Sequence, residues 1–282
     1  MFHFEKQDLN QLLSKIHQEN NPKNDWIFDC DGTLVNGDIS IHTGWLIIRS
    51  GLVDIELLPK EWQNSEKLRQ MSLEEFEEIL ASKESTVSNH ERYIWEINLQ
   101  SGFPFEPVSD FAREGLDYGV KTKTLNYTNP LSKLAKEVAD QAYVVSGSSH
   151  PTVCAVVETL NFPPERVFAT QLEIVDGIYQ KQFAPPGIVW EEVKSEVLAS
   201  KGIENPWFVA GDTIGDWSML ISSERWSWCV LWDRHRHRGE EFREHIESSL
   251  LSGEKIPTEA GYHLCTIGEK NWIFEVKGGP DS

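Results

Sequence analysis

The chain has 282 residues, 39% of them hydrophobic, enough for one large domain or two modest ones with a sizeable core. Its 45 acidic side chains against 26 basic ones give a formal charge of −19, which argues against non-specific binding to nucleic acid or anionic lipid. No apolar run approaches the roughly 20 residues that a membrane-spanning helix needs, and the four cysteines (30, 154, 229, 265) are too dispersed for a disulfide framework or a zinc site, so buried reduced thiols and a cytoplasmic location are expected.

The first residues lack a basic start followed by an apolar stretch, so no secretory signal is expected. Leu9, Leu12, Leu13 and Ile16 share one stripe of an amphipathic helix. Residues 25–29 form a short apolar run ending in an acid, the pattern of a buried parallel strand. From 38 to 119 the character changes. Leu68, Met71, Phe76, Ile79 and Leu80 recur at helical spacing, and the Gly- and Pro-containing stretch 102–107 breaks the pattern. This reads as an inserted, mainly helical cap, with the core formed by 1–37 and 120–282.

Two further apolar runs, 142–145 and 207–210, resemble the first. Pro151 can open a helix carrying Val153, Val156, Val157 and Leu160. Residues 168–175 and 178–183 flank Asp176-Gly177, a hairpin signal. Residues 191–200 read as a helix with Val193, Val197 and Leu198 inward and Gly202 as its stop. The charged run 233–239 reads as a solvated loop or helix start, and 262–267 and 272–276 as strands that could extend the sheet. The fold class is therefore α/β, with a Rossmann-like three-layer core around a parallel sheet and a helical insertion. Ligands of such sheets bind at the carboxyl ends of the strands, so the three polar clusters that follow the three runs should converge.

The chemistry of those clusters is specific. In Asp29-Cys30-Asp31-Gly32-Thr33-Leu34 the two acids can both face the crevice once the strand ends. Asp29 can attack phosphorus and carry an aspartyl-phosphate, while Asp31 protonates the leaving oxygen and later deprotonates water. Gly32 permits the tight turn. Two carboxylates facing a phosphate need a cation, and magnesium prefers such oxygen donors; Asp212 and Asp216, four positions apart, supply more. Ser146 and Gly147, before a helix start, suit phosphate oxygens, and Thr33 is grouped with them. A lysine should balance the transferring group's charge, Lys194 first and Lys181 second.

The runs 29–34, 144–148 and 211–216 resemble the first, second and fourth motifs of the haloacid dehalogenase superfamily. The phosphoserine phosphatase-like branch is nearest, and residues 28–38 and 144–179 resemble bacterial phosphorylcholine phosphatase and its relatives. The resemblance implies a helical cap of the C1 type inserted after the first strand. It also implies magnesium on Asp29, the Asp31 backbone carbonyl and Asp212, with Asp216 supporting the metal or the lysine. Gly215 departs from the family's usual Asn, and Ile188 and Trp190 stand where its lysine is usually found.

The expected activity is magnesium-dependent hydrolysis of a small phosphorylated metabolite, phosphorylcholine- or phosphoserine-like, with no nucleic-acid or membrane partner. The alternatives are a phosphomutase, or a silent binding protein on the same fold; a dehalogenase would not need Asp31. Aromatic faces bind quaternary ammonium. Trp45, Trp62 and Trp95 of the insertion are candidates for such contacts, as are Asp54 and Glu56, whereas Trp26 and Trp207 flank core strands and read as structural.

Overall fold

A computed structural model describes residues 3–7, 24–84, 87–126, 130–224, 226–231, 261–266 and 272–277, together with positions 14, 16, 18, 19, 244 and 245. The strands are β1 (His3–Gln7), β2 (Trp26–Phe28), β3 (Ala142–Ser149), β4 (Val167–Thr170), β5 (Leu172–Val175), β6 (Ile178–Phe183), β7 (Phe208–Gly211), β8 (Trp226–Leu231), β9 (Gly261–Thr266) and β10 (Trp272–Lys277). The helices are α1 (Ile39–Arg49), α2 (Ser65–Arg69), α3 (Leu73–Glu84), α4 (Asn89–Asn98), α5 (Phe105–Thr122), α6 (Pro130–Glu137), α7 (His150–Thr159), α8 (Glu192–Ser200) and α9 (Trp217–Ile221).

Among the described residues, eight strands form one sheet in the order β1-β10-β9-β8-β7-β2-β3-β4. It is parallel from β9 through β4, and β10 and β1 join antiparallel at the far edge. Strand alternation explains the three layers. Trp26, Phe28, Val144 and Phe208 point into one apolar cluster with Leu131 and Leu134 of α6 and Val153 and Val156 of α7. Ile27, Val145 and Val209 point into the other, with Val197 and Leu198 of α8 and Met219 and Leu220 of α9. The fold is the expected α/β arrangement with a parallel central sheet.

The helices α1 to α5 lie in the chain between β2 and β3 and have a third apolar cluster, built on Trp45, Leu68, Phe76, Ile79 and Val108. The Asp176-Gly177 hairpin forms as the sequence indicates, as a separate two-stranded sheet. Leu172 and Tyr179 bury into the helical cluster. The hairpin is also tied to the start of α5, where the Phe105 N–H donates to the Gly177 carbonyl at 2.9 Å. Helix α5 continues past position 119, and its Ala112 and Leu116 belong to the sheet's cluster.

Several expectations shift in detail. The run 168–175 is two strands, because β4 pairs with β3 while β5 pairs with β6. Residues 3–7 form an edge strand on β10. Leu9, Leu12 and Leu13 of the proposed amphipathic helix, and the charged run 233–239, lie outside the described residues. Cys30 is a buried free thiol and Cys154 a partly buried one; the side chains of Cys229 and Cys265 are not among those described. Among the described residues, no helix is long and apolar enough to cross a membrane.

Candidate active site

Strand β2 has parallel neighbours on both sides, β3 and β7, so the three chain segments leaving their carboxyl ends are neighbours in space. They line one cavity of about 540 Å³ that includes Asp29, Asp31, Ser146, Gly147, Lys194 and Asp212. Asp29 follows β2 directly and is fixed by its own N–H, which donates to the Ala210 carbonyl at 2.8 Å. The chain then turns back: the Cys30 carbonyl accepts from Leu34 at 2.9 Å and Val35 at 3.1 Å. Gly32 makes this possible, with φ at +79°. A β-carbon on Gly32 would overlap the Asp212 carboxylate, so the glycine also lets the first and fourth clusters touch.

The Asp31 carboxylate sits above the turn, accepting from the Ile39 N–H at 2.9 Å and from the Ser148 hydroxyl at 2.6 Å. The Ser146 hydroxyl accepts from the Ser148 N–H at 3.2 Å, so the carboxyl end of β3, where its register on β4 shifts, is held by its own serines. The segment after β7 is a single tight turn, Ile214–Asp216, before α9. One Asp216 oxygen accepts from the N–H groups of Asp212 and Thr213 and from the Thr213 hydroxyl, at 3.0, 2.9 and 3.2 Å.

Of the two lysines, Lys194 is the one that lies in the acidic cluster. Its Nζ donates to Asp29 Oδ1 at 2.7 Å and to Asp216 Oδ1 at 2.5 Å, with the side chain only 4% exposed. Lys181 lies elsewhere, on an exposed ion pair with Asp54. Among helix α8's buried residues, Lys194 is inward together with Val197 and Leu198. The departure at Gly215 has a steric reason: the Trp190 indole fills the space a side chain there would occupy.

Electrostatics follow from burial. Desolvation raises the Asp29 carboxyl to about 7 despite the opposing Lys194 ammonium. It raises Asp31 to about 8, reinforced by the neighbouring Asp38 and opposed by the bonds from Ser148 and Ile39. Burial would lower the Lys194 pKa, but Asp216 and Asp29 outweigh it and hold the ammonium charged.

Asp29, Asp212 and Asp216 are all buried and each offers one oxygen within 4.8 Å of the others. This hard, anionic donor set fits magnesium. Asp216 spends one oxygen on Lys194 and the other on its own loop, Asp29 shares the same lysine, and the Asp31 carboxylate accepts from Ile39 and Ser148. Thr33 is buried but does not line the cavity; it belongs to the turn, its N–H donating to the Cys30 carbonyl at 3.3 Å.

The helical side of the cavity carries residues that helical periodicity alone did not single out: Asp38, His42, Glu77, Arg92, Tyr93 and, from the core, Trp190. The tryptophans considered for substrate contact are used otherwise. Trp45 Nε1 donates to the Met71 carbonyl and Trp95 Nε1 to the Leu57 carbonyl, while Trp62 lies beneath the Lys67 ammonium. None of these three lines the cavity, and neither does Asp54 or Glu56. Trp26 is fully buried in the core, as read.

A family model for haloacid dehalogenase-like hydrolases matches residues 26–220. No curated protein matches the sequence. Among solved structures, a conserved functionally unknown protein from Anaerococcus prevotii DSM 20548 superposes with a TM-score of 0.56 at 15% identity, covering 86% of each chain. A protein of unknown function from Bordetella pertussis Tohama I does so at 0.55 and 14%, covering 80% of this chain and 96% of that one. A substrate-bound phosphoserine phosphatase gives 0.47 and 18%, covering 81% and 99%.

Proposed function

Because the chain belongs to the haloacid dehalogenase-like hydrolases, we propose that it is a phosphatase that hydrolyses a small phosphomonoester through an aspartyl-phosphate on Asp29. The observation that carries this reading is the meeting of Asp29, Asp212 and Lys194 in one buried cluster beside Asp31.

An Asp29 oxygen attacks phosphorus, and the bond from phosphorus to the leaving alcohol breaks. Asp31, neutral at pH 7 with its pKa near 8, gives its proton to that alcohol oxygen. Asp31 then takes a proton from water as the water oxygen attacks the phosphorus. The bond to Asp29 breaks and inorganic phosphate leaves. Ser146 and the backbone at Gly147 hold phosphate oxygens, and Lys194 offsets the charge gathered between Asp29 and phosphate. Magnesium, held by Asp29, the Asp31 carbonyl and Asp212, would neutralise phosphate charge and orient it for in-line attack.

The leaving alcohol carries a cationic group in this reading, as in phosphorylcholine- or phosphoserine-like substrates. Asp38 and Glu77 line the same cavity, and the Arg92 guanidinium that also lines it is bonded to Glu96 at 2.5 Å. Tyr93 and Trp190, in contact with each other at 5.5 Å, add aromatic rings to the lining.

The first test is hydrolysis of p-nitrophenyl phosphate with magnesium or with EDTA, in wild type and Asp29→Asn. We expect a magnesium-dependent rate that falls at least ~10³-fold in the variant, as when a covalent nucleophile is removed. Equal rates in all samples would leave the binding-protein alternative. Transfer of the phosphate to a second hydroxyl, in place of free phosphate, would identify a phosphomutase. A comparison of phosphorylcholine, phosphoserine and an uncharged phosphomonoester tests the substrate class.

A further inference from the structure

Trp190 joins the helical insertion to the turn that carries Lys194 and to the loop between Asp212 and Asp216. Its carbonyl accepts from the Val193 N–H at 3.1 Å, so Trp190 belongs to the first turn leading into α8. The next residue, Glu191, donates its N–H to the Gly215 carbonyl at 3.1 Å and accepts from the Lys194 N–H at 3.1 Å. The Glu191 carbonyl also accepts from the Ser218 hydroxyl at 2.6 Å. The start of α8 is thus latched onto the turn flanked by Asp212 and Asp216.

The indole itself covers Gly215, where a β-carbon would collide with it. The same indole meets two rings of α4: His90 edge-on at 5.4 Å and Tyr93 at 5.5 Å. Tyr93 and Trp190 both line the cavity. A substrate filling that cavity therefore touches the same aromatic contact that spans insertion and core.

We propose that Trp190 is a positioning residue that couples the placement of α4 to the placement of Lys194 and the Asp212–Asp216 loop. With α4 seated, the rings press the indole onto Gly215, and the backbone on both sides of it is fixed. Lys194 then meets Asp29 and Asp216 as described. With α4 displaced, the indole loses its contacts with His90 and Tyr93, the turn at Gly215 loosens, and the lysine is misplaced. Turnover is thereby favoured when the cavity is closed and filled, a gating role of the kind lids play. The absence of a side chain at 215 and the presence of a large ring at 190 are one matched feature. This inference rests on the phosphatase reading for its kinetic consequence, though its structural part does not.

The test compares wild type, Trp190→Ala and Trp190→Phe, with p-nitrophenyl phosphate and magnesium for kinetics and amide hydrogen exchange for structure. For Trp190→Ala we expect kcat to fall by about 10²-fold, the scale of a catalytic group displaced by about 1 Å, with a smaller change in KM. Trp190→Phe, which keeps a ring over Gly215, should recover most of kcat. Exchange should quicken in Trp190→Ala both at 89–93 and at 211–216. A kcat loss that Phe does not recover, an unchanged kcat, or exchange that rises in only one of the two segments would overturn the proposal. If Trp190→Ala does not fold, Gly215→Ala applies the same two readouts, since its methyl group displaces the indole. Should wild type itself hydrolyse nothing, the phosphatase reading fails, and the exchange data alone decide the coupling.

Discussion

Lys194 shows how a single charge can organise a site. Its ammonium is buried against two carboxylates, and removing one member of such a group leaves the others uncompensated. Lys194→Met should lower the unfolding free energy by about 3–5 kcal/mol in a urea titration, the cost found for breaking buried pairs, and should abolish magnesium-dependent hydrolysis. The convergence of Asp29, Asp31, Asp212 and Ser146 was legible because each acid or hydroxyl follows an apolar run, and parallel strands deliver their ends to one place. Lys194 was legible only as a choice, since its place on the helix that feeds the third strand favours it over Lys181 without deciding which lysine reaches the acids. The cavity residues Glu77, Arg92 and Tyr93 were not legible. Helical periodicity separates buried from exposed positions, and it says nothing about which polar residue at the boundary faces a cavity.

Among the elements, the turns were better read than the helices' partners. The Asp-Gly hairpin and the glycine turn at 32 both follow from local backbone chemistry, with Asp176 at φ +50°, Gly177 at +77° and Gly32 at +79°. Gly32→Ala tests the second. A methyl group there meets the Asp212 carboxylate on a backbone that L-residues disfavour by roughly 1–2 kcal/mol. The variant should lose at least that much stability and should bind magnesium more weakly, measured by calorimetric titration, because Asp212 must move. What local chemistry does not encode is pairing at a distance. The strand at 3–7 exists because β10 offers it an edge, and the division of 168–175 into two strands reflects two different partners.

For the molecule as a whole, the buried acids make stability depend on pH in a defined direction. Asp29 and Asp31 stay protonated up to about 7 and about 8 in the fold, against an ordinary value of 3.8. The unfolded chain ionises first, so their contribution is fully present below about pH 4 and is lost as pH rises through 7 to 8. In EDTA the melting temperature should fall over that window, and an Asp31→Asn variant should fall less. Magnesium should flatten the decline, because it favours the ionised carboxylates. A wild type and variant with parallel profiles would show that Asp31 does not titrate in this range.

Strand β2, which delivers Asp29, is only three residues long and lies near the beginning of the chain, yet both its neighbours come far later, from 142–149 and 208–211. During synthesis on a ribosome, β2 must therefore wait with bare edges while the helices of the insertion, whose contacts are local, have already emerged. Loop closure over such separations is slow. A nascent chain stalled before residue 208 would present an unpaired apolar edge of the kind that chaperones and aggregation compete for.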